Sequence, residues 1–472
     1  MTIQASNPSS FRDPGGQVFD KDGLIYRTIT QSALREFEEI ETTGLLEELV
    51  EKGDLVAYKR AKNVDLGPAA RNAVLILEHE KIPFISYPYE WSFPQLKAAA
   101  LLHLNIQIRA IEFKVVLSDA TAYNIQFNGF KPVFIDHLSF KLYKEGEYWI
   151  AQKQFCQQFL NPILLRSYLG ITHNSWFRGS LEGLDLISFN AILPWYQKFN
   201  FQVLTNVVLP AIFEKKAILK SESGSYSNKK LASTVKNRTL PLATYKNMLV
   251  GLKKLITKLE PKAISGTVWS EYATSHSYND EEFQLKRAFV KKFTQTTKPK
   301  ILWDIGCNSG DFSKLALENG AERVIGFEFD FGALETAYLR AKTENLCFLP
   351  LHLDAANPSP SQGWDQQERV GLNQRRNADA VIALAVIHHL CIGKNIPLEL
   401  VVNWIVATAP KGVIEFVPKG DPMVQEMLSL REDIFASYTV ELFTDLLKKI
   451  ATINEIQVVT GSGRILFWYT SK

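Results

Sequence analysis

Apolar and polar positions change rhythm along this chain, and the changes predict its elements. Over residues 32–51 an acidic segment has helical spacing. Over 93–113 a second helix presents Leu96, Ala100, Leu104, Ile108 and Ile111 on one face, with Lys97 at its edge. Two short apolar runs, 124–127 and 132–135, are split by Asn128-Gly129, a strong hairpin signal. An aromatic-rich helical stretch covers 149–214. Residues 219–240 are rich in Ser, Asn and Lys and read as a loop. A basic helix over 242–259 leads to Pro261, and the last 200 or so residues alternate strand and helix periods, the pattern of a parallel α/β sheet. No internal repeat stands out, and residues 1–20, polar with Pro and Gly, read as frayed. The expected organisation is an α+β region over 1–215, a basic linker and helix over 216–264, and an α/β domain over 265–472.

A chain of 472 residues suits two domains, and 46% hydrophobic content gives each a core. No apolar run reaches the roughly 18 residues of a membrane span, so no membrane partner is expected. The N-terminus lacks the basic-then-apolar order of a secretory signal. Cys156, Cys307, Cys347 and Cys391 are scattered without a CxxC pair. That pattern argues against zinc and a disulfide framework and suits a reducing cytoplasm, and no metal is expected. Charge is uneven: residues 211–262 carry twelve Lys/Arg and three Glu, an excess of +9 in a chain of net +3. Such a segment can meet anions, including nucleic acid, or can be a solvated linker and helix face. No recognisable nucleic-acid motif accompanies it, so the solvated reading is preferred and nucleic acid is not expected as a partner.

The most informative stretch is residues 301–310, Ile-Leu-Trp-Asp-Ile-Gly-Cys-Asn-Ser-Gly. A short apolar strand ends in Asp304 and runs into a turn bearing Gly306 and Gly310. Residues 324–328 read as a second strand ending in Glu328, 24 residues after Asp304. A third run ends at Asp354-Ala355, and a fourth, 379–385, leads to His388-His389. Together these resemble the class I S-adenosylmethionine (SAM) methyltransferases, which implies a Rossmann-like sheet flanked by helices with SAM as cofactor. The physical logic is consistent. A tight glycine turn lets backbone N–H groups and a helix N-terminus approach the cofactor. Asp304 can answer its positive charge, directly or through water. An acid about 20 residues on suits ribose hydroxyls; Glu328 holds the family's position, with Asp330 as the runner-up. Asp354 and Ala355 match the adenine side. Asn308 stands where the family usually has glycine, and Asn is the residue that best tolerates φ > 0 after glycine. A nicotinamide-binding Rossmann domain would need G-x-G-x-x-G, whereas here the spacing is Gly306-x-x-x-Gly310. Upstream, Tyr272 and Tyr278 are candidates either for a lid over the cofactor or for simple packing.

Methyl transfer is an in-line displacement in which alignment matters most. His388 and His389 follow strand four, where the acceptor usually sits, and are candidates for a base or orienter; a structural role is the alternative. No Asn/Asp-Pro-Pro-Tyr/Phe turn and no cysteine after a proline occurs there, so a polar small-molecule or glycan-like acceptor is favoured over nucleic acid. In the long connection after strand three, Trp364, Glu368 and Arg369 are further acceptor candidates. After strand five Glu415 and Asp421 join them, although a helix cap explains Asp421 almost as well.

The front half carries a second resemblance. Asp119 and Asn124 have the D-x-x-x-x-N spacing of a kinase catalytic loop, and Asp136 follows twelve residues after Asn124. This resembles the aminoglycoside-phosphotransferase type of kinase, in which Asp119 would be the base while Asn124 and Asp136 held Mg²⁺. Val56-Ala-Tyr-Lys59 resembles the strand lysine that contacts phosphates. Departures are clear: no glycine-rich loop precedes Lys59, Leu117-Ser118 replaces His-Arg, and His-Leu follows Asp136. The region therefore reads as a degenerate kinase-like domain. Over nearly its full length, through Tyr87-Pro-Tyr-Glu-Trp-Ser-Phe93, Asn357-Pro-Ser-Pro and Ala385-Val-Ile-His-His-Leu390, the chain resembles bacterial two-part methyltransferases related to nodulation host-specificity (NoeA-like) proteins. The resemblance implies a methyltransferase but no particular acceptor, and leaves the oligomeric state open. The alternatives are a bifunctional or kinase-type phosphotransferase using the front domain, and a non-catalytic SAM-binding protein.

Overall fold

Two sheets built on different hydrogen-bonding rules organise the two compact units of the computed structural model. It describes residues 7–222, 239–262, 279–429 and 431–472. Unit 1 comprises Met1–Gln126, Pro132–Ser265 and Ser361–Arg369; unit 2 comprises Phe127–Lys131, Gly266–Pro360 and Val370–Lys472.

In unit 1, β1 (Val18–Lys21), β2 (Leu24–Thr30), β3 (Lys59–Arg60) and β4 (Ala73–Glu80) form an antiparallel sheet in the order β1-β2-β4-β3. The acidic helix predicted over 32–51 is two helices, Gln31–Glu41 and Leu45–Glu51, because Gly44 adopts φ +80° between them. Helix Phe93–Glu112 starts where expected. Ser92 and Gln95 form a capping box and Pro94 fills the first turn, where its missing N–H costs nothing. β5 (Val115–Leu117) pairs with β8 (Phe140–Leu142), and β6 (Ile125–Asn128) forms a hairpin with β7 (Lys131–Phe134), turned at Gly129 with φ +62°, its tip Phe127–Lys131 being assigned to unit 2. The basic helix expected over 242–259 packs into a core. Helix Leu242–Lys258 buries Tyr245, Leu249, Leu252 and Ile256, and Gln107 Nε2 on Phe93–Glu112 donates to Tyr245 Oη at 2.9 Å. Each of those aliphatic side chains contributes roughly 1.5–3 kcal/mol by leaving water, so this helix belongs to the unit 1 core while its lysines face outward. Likewise helix Leu209–Glu222 runs across the expected boundary at 215 and into the predicted loop.

Unit 2 is a seven-stranded α/β sheet. Its strands are β9 (Ile301–Ile305), β10 (Arg323–Glu328), β11 (Phe348–His352), β12 (Ala380–Ala383), β13 (Lys411–Phe416), β14 (Ala451–Val458) and β15 (Ile465–Ser471), in the order β11-β10-β9-β12-β13-β15-β14. All pairings are parallel except β13–β15 and β15–β14. β9, β10 and β12 are apolar on both faces, as strands covered by helices on both sides must be. Leu302, Val324, Phe348, Ile382 and Val413 form the core with Phe289, Val290 and Phe293 of helix Asp280–Thr297. The chain leaves β9 toward β10 and β11, then returns to lay β12 on the other side of β9. That reversal makes the carboxyl ends of β9 and β12 the switch point, where ligands of open α/β sheets bind. Among the described residues no helix is long and apolar enough to cross a membrane.

Candidate functional site

Strand register brings the predicted unit 2 residues to one edge. Gly326 lies opposite Asp304 and Phe327 opposite Ile305, so β10 ends one residue beyond β9 and sets Glu328 beside the glycine turn. Gly306 and Gly310 take φ +76° and +85°, and Asn308 takes φ +48°. The two glycines are needed for space as well. A Cβ on Gly306 would stand 2.6 Å from Val386 Cγ2, and one on Gly310 2.6 Å from Phe348 Cε1. The turn is closed by Gly306 and Cys307 N–H donating to Phe327 O at 2.8 and 3.1 Å and by Gly310 N–H donating to Cys307 O at 2.8 Å.

Glu328 is oriented by backbone alone. Its Oε1 accepts from Phe329 N and Asp330 N, each at 2.8 Å, and its Oε2 accepts from Asn308 N at 2.8 Å. Burial raises its pKa while those three N–H groups oppose the rise. Asp330 is occupied: it is the N-cap of helix Phe331–Thr343 and accepts from Ala333 N at 2.9 Å. Asp304 is buried, and Ser313 Oγ donates to its Oδ2 at 2.6 Å. Burial pushes the Asp304 carboxyl up to about 7. Asp354, at the end of the β11 segment, accepts from Ala356 N at 3.0 Å, and Ala355 lies within the turn it closes.

The histidine pair follows β12 after Ala385, which takes φ +54°. His388 is fully buried, and neither ring nitrogen has a hydrogen-bond partner among the described residues. Burial holds it far below the usual histidine range. His389 is half-buried, its ring centroid 4.1 Å from that of His388, and burial lowers its pKa to about 4. Both rings are therefore neutral near pH 7, and His389 is the less buried of the two. Two ion pairs adjoin this edge. Lys286 Nζ donates to Glu415 Oε2 at 2.7 Å, and Arg464 grips Asp421 with Nε at 2.7 Å and an Nη at 2.8 Å. Asp421 also accepts from Met423 N at 3.1 Å, so it is a helix cap as well. Trp364, Glu368 and Arg369 belong to unit 1. There Arg12 Nε donates to Glu368 Oε1 at 2.9 Å, and the Arg369 guanidinium lies 4.5 Å from the Tyr123 ring. Tyr272 and Tyr278 lie outside the described residues.

Within unit 1 the kinase-like trio does converge, on Ser139. Asn124 Nδ2 donates to Asp119 Oδ2 at 3.0 Å and to Ser139 Oγ at 3.0 Å; Ser139 Oγ lies 2.7 Å from Asp119 Oδ1 and 2.9 Å from Asp136 Oδ2. Burial, reinforced by the Asp136 charge, raises Asp119 to about 6. Asp136 is already paired: Arg27 Nη2 on β2 reaches its Oδ1 at 2.8 Å, and Arg27 also pairs with Asp13. Lys59 is exposed and bound to Glu78 at 2.8 Å. Among the described residues no group of three or more His, Cys, Asp and Glu is placed to hold a metal ion.

No family model matches the chain. It is 44% identical over 464 residues to the nodulation protein NoeA of Rhizobium meliloti (strain 1021), spanning 98% of this chain and 95% of that protein. The chain belongs to the NoeA family. Solved structures similar to this family member include N-methyltransferase NodS from Bradyrhizobium japonicum WM9, at 13% identity and a TM-score of 0.30, covering 41% of this chain and 98% of that one. Magnesium protoporphyrin IX methyltransferase (ChlM) from Synechocystis PCC 6803, with bound SAM, matches at 15% identity and a TM-score of 0.31, covering 44% and 93%.

Reading the NoeA-family sequence alone misses Ser313, Lys286 and Arg27. Lys286 was recoverable in part, since it lies three, four and seven residues before Phe289, Val290 and Phe293 on one helix stripe. A lysine on such a stripe needs a buried partner. Arg27 had no local signal, because its partners come from distant segments.

Proposed function

We propose that this chain is a SAM-dependent methyltransferase acting on a polar small-molecule or glycan-like acceptor. The observation that carries the reading is Glu328, a carboxylate fixed by three backbone N–H groups beside a turn that excludes side chains at Gly306 and Gly310. Its Oε2, which accepts only from Asn308 N, retains a lone pair for a further donor such as a ribose hydroxyl. The residues fit the cofactor. Glu328 would hold the ribose, Asp354 and Ala355 would lie on the adenine side, and Asp304 would face the cationic methionine end. The backbone at Gly306, Asn308 and Gly310 would let it approach. When bound, SAM supplies an activated methyl group. The chain's own residues would then align the acceptor, with His389, neutral and half-buried, as the proton-accepting candidate and His388 as the packed residue that positions it. Calorimetric titration with SAM tests the site, and mass spectrometry of cell extract incubated with isotope-labelled SAM tests the reaction. Absence of SAM binding would overturn the proposal; binding without transfer to any extract component would favour a non-catalytic SAM-binding protein.

A second reading, phosphoryl transfer in unit 1, is favoured by the convergence of Asp119, Asn124 and Asp136 on Ser139. Against it, Arg27 occupies one Asp136 oxygen and Lys59 is tied to Glu78. Unit 1 is thus read as a kinase-like domain that has lost its metal site. Titration with Mg-ATP decides: no binding is expected, and binding abolished by Asp136→Ala would instead establish the kinase reading.

A further inference from the structure

The strongest unexplained feature of unit 1 is a ridge of exposed aromatic side chains. Trp195, Tyr196, Phe199, Phe201 and Phe213 are 74%, 58%, 75%, 71% and 64% exposed. Single exposed apolar residues are ordinary; a run of large aromatic ones within one short segment marks an interaction surface. Three of these side chains group in space, since the Trp195 ring centroid lies 6.1 Å from both Tyr196 and Phe199. The segment is built rather than frayed: residues Trp195–Phe199 form a 3₁₀ turn, and Asn200 caps the helical turn that follows by accepting from Gln202 N at 3.0 Å. Lys198 is anchored inward, donating to Asn190 O at 2.7 Å, which leaves the aromatic rings as the outward face.

A basic surface adjoins this ridge. Gly251 of helix Leu242–Lys258 lies so close to Gln202 that a Cβ there would overlap the Gln202 amide. Lys254 and Lys258 follow Gly251 by three and seven residues, on the same helical face, with Lys253 beside them; all three are exposed. The chain thus pairs Trp, Tyr and Phe rings with an adjoining lysine face. That is the chemistry of a surface that beds its rings at the headgroup boundary while its cations meet anionic lipid. A second copy of the chain suits it poorly, because an isologous contact would set like charges against each other.

We propose that this ridge docks unit 1 peripherally onto an anionic lipid bilayer. Exposure is what a sequence cannot reveal, and the sequence reading, which weighed only spanning segments, expected no membrane partner. The proposal stands apart from the SAM site. It is tested by flotation of the full chain with vesicles of phosphatidylcholine alone or mixed with phosphatidylglycerol, alongside light-scattering measurement of its mass. The expected result is binding that requires phosphatidylglycerol and weakens as salt rises. Trp195→Ser with Phe199→Ser is expected to weaken it about tenfold or more, and Lys253→Glu with Lys254→Glu to remove the preference for anionic lipid. Because all four residues are exposed, thermal unfolding and SAM binding should be unchanged in both variants. Equal binding to neutral vesicles, absence of vesicle binding, or a dimer that Trp195→Ser with Phe199→Ser converts to monomer would each overturn it.

Discussion

Ser313 Oγ donates a 2.6 Å hydrogen bond to Asp304 Oδ2 beneath the glycine turn, holding a buried carboxyl that burial lifts to about 7. In the unfolded chain an aspartate titrates near 3.9. Between these values the folded state keeps a proton that the unfolded state has lost, so this group's contribution to stability falls as pH rises from about 4 toward 7. A cationic cofactor has the opposite preference, for the ionised form. SAM affinity is therefore expected to rise with pH up to about 7, with release of up to one proton, and then to level off. Calorimetry in buffers of different ionisation enthalpy reads the proton directly. The same slope in Asp304→Asn would remove Asp304 from the explanation.

Glu328 makes a companion prediction. Glu328→Ala and Asp304→Ala are each expected to weaken SAM binding by about 1–3 kcal/mol, the scale of a lost charged hydrogen bond. Glu328→Ala also strips the partner from three turn N–H groups, so its unfolding must be followed in parallel. Unchanged affinity in both variants would contradict the site.

The turn itself discriminates between neighbouring positions. At Gly310 a methyl group would meet the Phe348 ring while the backbone stays at φ +85°. Gly310→Ala is therefore expected to cost about 1–3 kcal/mol in the urea unfolding of unit 2. Asn308 already tolerates φ +48°. Asn308→Gly is expected to shift stability by no more than about 1 kcal/mol and to leave SAM affinity unaltered. A large loss from Asn308→Gly would mean that its side chain, whose Oδ1 accepts from Ser309 N at 2.7 Å, has a role beyond the turn.

How legible the molecule was in its sequence depends on the range of the interaction. Asp304, Gly306, Gly310 and Glu328 lie at strand ends, and strand ends are written locally as apolar runs with abrupt polar stops. The turn was readable for the same reason. Long-range pairing was not: nothing near Asp136 announces Arg27 of β2, and nothing near Glu368 announces Arg12. Composition also says less where charge and burial share one helix. Helix Leu242–Lys258 reads from its sequence as a basic helix, but that Tyr245, Leu249, Leu252 and Ile256 anchor it in a core does not. His388 is the converse case: the sequence places it beside the expected acceptor and leaves a base, an orienter or a structural role open, and its complete burial is visible only in three dimensions.

Lys286 and Glu415 carry the last prediction. Their ion pair, 2.7 Å long with side chains 5% and 0% exposed, joins helix Asp280–Thr297 to the end of β13. Burial lowers the Lys286 pKa, and the Glu415 charge opposes the fall. Such a pair stabilises little against a well-packed apolar substitute, but removing one partner strands the other charge in the core. Lys286→Met alone is accordingly expected to destabilise unit 2 by about 3–5 kcal/mol. Lys286→Met combined with Glu415→Leu should recover most of that loss, since neither charge of the pair remains. Chemical denaturation of the four members of this cycle measures the coupling. If the two losses simply add, the pair is not a unit, and the buried lysine must be held chiefly by something other than Glu415.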